Sequence, residues 1–255
     1  MIVSYQQNGK TWYIDLTRPI DISLPLTAGP DTVNAFFLPH VQVTPFQAGS
    51  FIGDVLQGGP CNVNTVTLNP HGNGTHTETV GHISKDKETI HECLKNFWFK
   101  AKLISVQPSK IFDDWVIMPD QLISALAEHP EALIIRTLPN DDHKCKRNYS
   151  GTNPVFLHHH AAEVIRNAGV KHLLLDIPSV DREEDGGALL AHRAFWNYPE
   201  NTRRDATITE LIYVPSEIHD GDYMLNLQVI SIFNDASPSK PVLYKPFHHP
   251  GNPSL

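Results

Sequence analysis

Apolar and polar positions along this chain alternate or cluster in short runs that predict brief strands separated by short helices. Trp12 to Leu16 and Asp21 to Leu24 read as strands around the turn Thr17-Arg18-Pro19. Thr27 to Ala48, rich in proline, glycine and aromatic residues, predicts a loop lying over the surface or a pocket. Phe51 to Leu56 and Val63 to Leu68 are two further strands, parted by Gly58-Gly59-Pro60. Lys85 to Cys93 is polar and predicts a turn with a short helix, and Trp98 to Val106 alternates as a strand should. Pro119 opens a helix running to Ala127, with proline in its first turn, and Ala132 to Arg136 is a short buried strand. After a loop over 137–153, a helix from His160 to Ala168, ended by Gly169, leads into the apolar strand Leu173 to Ile177. That strand–helix–strand unit predicts a mixed α/β fold. Pro178 to Gly187 is a charged loop and Ala188 to Trp196 a helix; Thr207 to Val214 and Tyr223 to Phe233 are late strands. The tail from about Phe247 is expected to be loosely held. With no internal repeat and no low-complexity linker, residues 1–255 are expected to form one domain.

Composition narrows the class. The 255 residues are 40% hydrophobic and 19% charged, as in an ordinary globular protein, and suffice for a sizeable core. A formal charge of −8 argues against nucleic acid or an anionic membrane as the main partner, and no run approaches the roughly 20 apolar residues of a membrane-spanning helix. The first residues, Met1 to Gln7, show no basic region followed by an apolar one, so no secretory signal is expected. Cys61, Cys93 and Cys145, odd in number and widely spaced, suit free thiols serving as small buried residues in a reducing cytoplasm.

The chemistry concentrates between Asn69 and His82. His71, His76, His82 and Glu78 fall within twelve residues, interleaved with Gly72, Gly74 and Gly81. Imidazole and carboxylate are the usual ligands of a borderline divalent metal, and glycine permits the tight turns that bring backbone close to an ion. If the chain is extended after Thr75, His76 and Glu78 share one face, because strand side chains alternate. Elsewhere, His158-His159-His160 reads as a partly buried helix start, since consecutive helical residues point in different directions, and His219 and His248-His249 read as solvated. Asp141-Asp142-His143 reads as loop. No Gly-x-Ser-x-Gly elbow for serine hydrolase chemistry is present.

Asn69–His82 resembles the signature of the cyclase family of metal-dependent hydrolases, which includes kynurenine formamidases and isatin hydrolases: His-x-Gly-Thr-His-x-Asp-x-x-x-His. Gly74-Thr75-His76 matches its centre, Glu78 stands where the family has Asp, and His82 matches its last histidine. The first histidine of the signature would fall at Gly72, whereas this chain carries His71 one residue earlier. A looser turn through Gly72 and Asn73 would still let His71 reach a metal. The resemblance extends from Ile14-Asp15-Leu16-Thr17 to Val242, with echoes at Ile134-Ile135-Arg136-Thr137 and at Asp176-Ile177-Pro178-Ser179-Val180-Asp181.

The family resemblance implies a mixed-sheet, swivelling β/β/α fold. It also implies one or two divalent ions, zinc or manganese, with His192 and Glu210 completing a site begun by His71, His76 and Glu78. His192 and Glu210 lie 18 positions apart, which implies an insertion around Trp196 to Arg204. A metal so held lowers the pKa of water, two bridging carboxylates allow a second ion, and His82 is the expected general base. The expected activity is hydrolysis of an amide, formamide or small cyclic amide or lactone, in the manner of an arylformamidase. Kynurenine formamidases carry an aromatic, often Trp, in the loop after the first strands; this loop has no Trp, and Phe36 or Phe37 is either the substrate contact in its place or a core residue. The expected partners are a small-molecule substrate and further copies of the chain, as homodimer or homotetramer. The rival expectations are a catalytically silent protein stapled by its metal, favoured by Glu78 and the displaced His71, and a metal-dependent lyase.

Overall fold

The apolar runs of the middle of the chain lie side by side in one sheet. Its strands are β1 (Ile20–Asp21), β2 (His76–Glu78), β3 (Trp98–Val106), β4 (Ala132–Thr137), β5 (His172–Leu175), β6 (Thr207–Glu210), β7 (Gly221–Val229) and β8 (Ala236–Tyr244). The computed structural model describes residues 1–7 and 9–248. β3, β4, β5 and β6 run parallel. The short β2 fits antiparallel between β6 and β8. β7 lies antiparallel to both β3 and β8, so seven strands close into a barrel-like ring, and β1 pairs with the far end of β8.

Every residue of β4 and β5 is buried, which explains why these runs read as continuously apolar: both faces of the parallel strands are covered. On the outer face, Leu133, Ile135, Leu173, Leu175 and Ile208 pack under helices α1 (His159–Asn167) and α2 (Leu190–Trp196), which supply Ile165, Phe195 and Trp196. On the inner face, Ile134, Leu174, Leu103, Leu225 and Leu243 fill the ring. Burial of each such large side chain contributes about 1.5–3 kcal/mol. The mixed α/β class expected from the sequence is the one found.

Several elements differ from expectation. Lys10–Asp15, which holds most of the strand expected from Trp12 to Leu16, forms a hairpin with Ile2–Gln7, and Ser109–Ile111 with Asp114–Ile117 forms another; Ile2–Gln7 and the second hairpin do not stand out in the apolar pattern, because most of their residues are exposed or half-buried. The strand expected from Phe51 to Leu56 ends at Ile52, where Asp54 accepts from the Leu56 amide and caps a helical turn. The loop expected between Thr27 and Ala48 holds Gln42–Pro45, paired with Asn64–Thr67, and Gln47–Ala48, paired with Phe51–Ile52. The helix from Pro119 to Ala127 is two pieces, Pro119–Gln121 and Ile123–Leu126. β6 stops at Glu210 because Leu211 adopts φ 55°. Phe247 is anchored: Pro246–Phe247 pairs with Tyr13 and Ile14, and the His248 ring lies tilted against Trp12 with centroids 3.9 Å apart. His249 and the rest of the tail lie outside the described residues. The thiols are not core residues: Cys61 is exposed, and Cys93 and Cys145 are half-buried.

Candidate metal centre

β2 is three residues long, and its alternation decides the site. Thr77 turns one way, with its hydroxyl 2.8 Å from that of Thr209, while His76 and Glu78 turn the other, both buried. Antiparallel pairing sets Glu210 directly opposite His76, and Glu210 Oε2 lies 3.3 Å from His76 Nε2. Thr75 locks the approach to β2, donating to the Leu211 carbonyl at 2.5 Å and accepting from the Leu24 amide at 2.8 Å.

His71 sits on a single helical turn, Pro70–Asn73, capped by Asn69, whose Oδ1 accepts from the His71 amide at 3.1 Å. A Cβ at Gly72 would meet Leu38 Cδ1 at 2.6 Å and the Ala35 carbonyl at 2.9 Å. No side chain fits at position 72 without displacing that backbone, so the imidazole comes from position 71 instead. Its Nδ1 lies 3.1 Å from Glu78 Oε2 and its Nε2 lies 2.9 Å from Asp235 Oδ2. Gly81 has a similar cause: a Cβ there would lie 1.9 Å from the Glu88 carbonyl. The turn Val80–His82 thus presses on residue 88 and leaves His82 Nδ1 3.8 Å from Glu78 Oε2 and 3.5 Å from Asp235 Oδ2.

The second half of the site comes from α2. Asp181 accepts from the amides of Ala191 at 2.7 Å and His192 at 3.1 Å, satisfying donors of the first helical turn, and takes the His192 Nδ1 hydrogen at 2.5 Å. His192 Nε2 is thereby aimed at Glu78 Oε1, 3.1 Å away. Glu210 uses its other oxygen to accept from the Val180 amide at 2.8 Å. The structure therefore brings His71, His76, Glu78, His82, His192 and Glu210 together.

Three of the histidines repeat one pattern. His76 Nδ1 faces the Gly74 carbonyl at 3.0 Å, His192 Nδ1 faces Asp181, and His71 Nε2 faces Asp235. With an ion bound in place of the inward proton, the nitrogen that donates outward would leave the other as a lone pair turned to the ion. His76 Nε2 is buried with no hydrogen-bond donor among the described residues. A lone pair and a carboxylate oxygen 3.3 Å apart call for a cation between them. The donor set, imidazole and carboxylate, fits a divalent ion of borderline softness, and His71, His76 and Glu78 present ligand atoms within 4.8 Å of one another, as do Glu78, His82 and His192.

The charges answer one another. Burial opposes charge on His71, but hydrogen bonds to Asp235 and Glu78 outweigh it and raise the ring to about 10. His192 is likewise lifted to about 10 against burial, by Asp181 and Glu78. Burial works to raise the Glu78 carboxyl, yet His82, His192 and His71 hold it well below the usual range. Asp235 is lowered against burial by His71 and His82.

A cavity of about 350 Å³ opens onto these groups, with Phe36, Leu38 and Leu189 as apolar walls and Arg182 among its polar ones. Phe36 and Phe37 both adopt positive φ, which turns Phe36 to the cavity and into contact with the cluster of Leu24, Val33 and Tyr149. Phe37 does not line the cavity; it is 78% exposed and stands against Gly151. Sequence reasoning missed Asp235 and the part played by Asp181. Asp235 precedes β8 and reaches the site only because Ala236 pairs with Glu78.

The family model of the cyclases matches residues 14–182 of this chain. No curated protein matches it in sequence. Among solved structures, a potential metal-dependent hydrolase with cyclase activity superposes with a TM-score of 0.64 at 14% identity, covering 89% of this chain and 97% of its own. An isatin hydrolase bound to the product analogue thioisatinate gives 0.65 at 16% identity, covering 90% and 92%. Isatin hydrolase A from Labrenzia aggregata, bound to benzyl benzoate, gives 0.65 at 14% identity, covering 89% and 93%. At such identities the likeness is one of fold.

Proposed function

Because the chain belongs to the cyclase family, we propose that it is a metal-dependent hydrolase opening an amide, a formamide or a small cyclic amide or lactone. The observation that carries this reading is the buried, unpartnered Nε2 of His76 facing a carboxylate oxygen of Glu210. His71, His76, Glu78, His192 and Glu210 are the residues to hold one or two ions, one of them between His76 and Glu210. Zinc and manganese both accept such donors. A divalent ion held there acidifies a water molecule and polarises a carbonyl group.

The remaining work falls to the protein. His82 is the most exposed ring of the cluster and is fixed against Glu78 and Asp235. It takes a proton from the attacking water and returns it to the departing nitrogen or oxygen. Phe36, Leu38 and Leu189 hold the apolar part of a small substrate and exclude water around it. The likeness in fold to isatin hydrolases supports a cyclic amide among the candidate substrates. A homodimer or homotetramer is part of the proposal, and light scattering on the purified chain tests it.

The deciding experiment strips the protein of metal, restores zinc or manganese, and assays aryl formamides, cyclic imides and lactones. Metal-dependent turnover supports the hydrolase. Tight metal binding with no turnover, and a large fall in melting temperature on chelation, supports a metal-stapled protein without catalysis.

A further inference from the structure

A second cavity, of about 440 Å³, lies beyond the C-terminal ends of β4 and β5, where parallel α/β sheets commonly receive ligands. Its floor is Thr137, Lys144 and Asp176. Lys144 is buried and spends its three hydrogens on the Thr137 carbonyl at 2.6 Å, the Thr137 hydroxyl at 2.9 Å and Asp176 Oδ2 at 2.8 Å. Asp176 also accepts from the Thr137 amide at 2.9 Å. The floor is thus a closed, neutral pair that shapes the cavity and has no donor left over.

The walls are different. Tyr149 is 5% exposed and lines the cavity, yet its hydroxyl makes no hydrogen bond among the described residues. The Arg147 guanidinium stands 5.5 Å from the Tyr149 ring, and its nearest carboxylate, Asp141, is 3.7 Å away, too far for a hydrogen bond. Trp115 forms the facing aromatic wall, with Lys110 Nζ 5.6 Å from its ring. Two unspent donor groups and two aromatic rings suit one kind of ligand. The planar guanidinium over the Tyr149 ring matches a carboxylate, with the phenol hydroxyl a further donor in the same cavity, and the rings match a flat body.

We propose that this cavity, separate from the metal centre, binds a small flat carboxylate, its anionic group taken by Arg147 and Tyr149 and its ring by Trp115. The site stands on none of the metal chemistry, and binding rather than turnover reads it. The test titrates the metal-loaded protein with 4-fluorobenzoate and, in parallel, with its uncharged analogue 4-fluorobenzamide, following the fluorine resonance of each. The expected result is saturable broadening and shift of the carboxylate line, with the amide at least tenfold weaker. Arg147→Gln should weaken the carboxylate at least tenfold and Tyr149→Phe severalfold, both variants keeping the parent melting temperature. Equal binding of amide and carboxylate, carboxylate binding unchanged in Arg147→Gln, or no binding of either probe would overturn the proposal.

Discussion

Glu210 Oε2 lies 3.3 Å from His76 Nε2, across a strand pair that sets the two residues directly opposite. Both groups are buried, and the histidine hydrogen is committed to the Gly74 carbonyl on the other side of the ring. Two inward-facing lone pairs at that distance repel unless a cation lies between them. Removing either should therefore lower metal content: His76→Ala or Glu210→Gln should bind zinc or manganese at least tenfold more weakly, measured by elemental analysis after dialysis against a chelator. Unchanged stoichiometry in both variants would remove them as ligands. Chelation of the parent protein should lower its melting temperature by about 10 °C, since binding at 1,000 times Kd contributes about 4 kcal/mol.

In the proposed mechanism His82, with its Nδ1 3.8 Å from Glu78 Oε2, moves a proton. His82→Ala should cut turnover by about 10²–10⁴-fold with metal content nearly unchanged. Loss of metal in that variant would make His82 a ligand instead.

Asp235 touches both His71 and His82. Carboxylates that orient a metal-binding histidine are worth about 10–100-fold in affinity, and Asp235→Asn should lose metal on that scale. Calorimetric titration of the apo-protein gives the number; an affinity equal to the parent's would leave Asp235 without a role at the ion.

His172 supplies a pH dependence remote from the centre. Its ring lies on Phe99, with centroids 3.8 Å apart, and its Nδ1 meets the Thr207 hydroxyl at 2.9 Å. Burial, helped by Lys171, pushes it down from 6.5 to about 3. The unfolded chain takes up a proton below pH 6.5 that the folded chain refuses, so stability falls as pH drops from 6.5 towards 3. At about 1.4 kcal/mol per unit the loss is on the order of 4–5 kcal/mol at the acid end. His172→Asn should show a shallower decline of denaturation midpoint over that window than the parent, and parallel curves would refute the assignment.

The sequence makes part of this centre legible and hides part of it, for physical reasons. His76 and Glu78 share a face because strand side chains alternate, and that needs only their spacing. Glu210 and Asp235 become neighbours of β2 through strand pairing, which spacing does not encode. β8 is harder still, because Pro238 and Pro241 argue against an interior strand. The substitution of His71 for a histidine at position 72 is visible as a shift, but its cause is the contact of Gly72 with Ala35 and Leu38. In the fold, α1, β3, β4 and β5 announce themselves through burial on both sides or clean periodicity. In the first hairpin, Ile2–Gln7 is largely exposed and carries no such signal, while its partner is legible from Trp12 onward.

The three residues of β2 also join β6 to β8 and so complete the ring of strands. Two of the three, His76 and Glu78, face the ion site. Local unfolding at the candidate ion site thus requires breaching the sheet itself. The backbone amides of these residues should exchange with deuterium only as slowly as the whole molecule melts, tying the lifetime of the candidate centre to that of the fold.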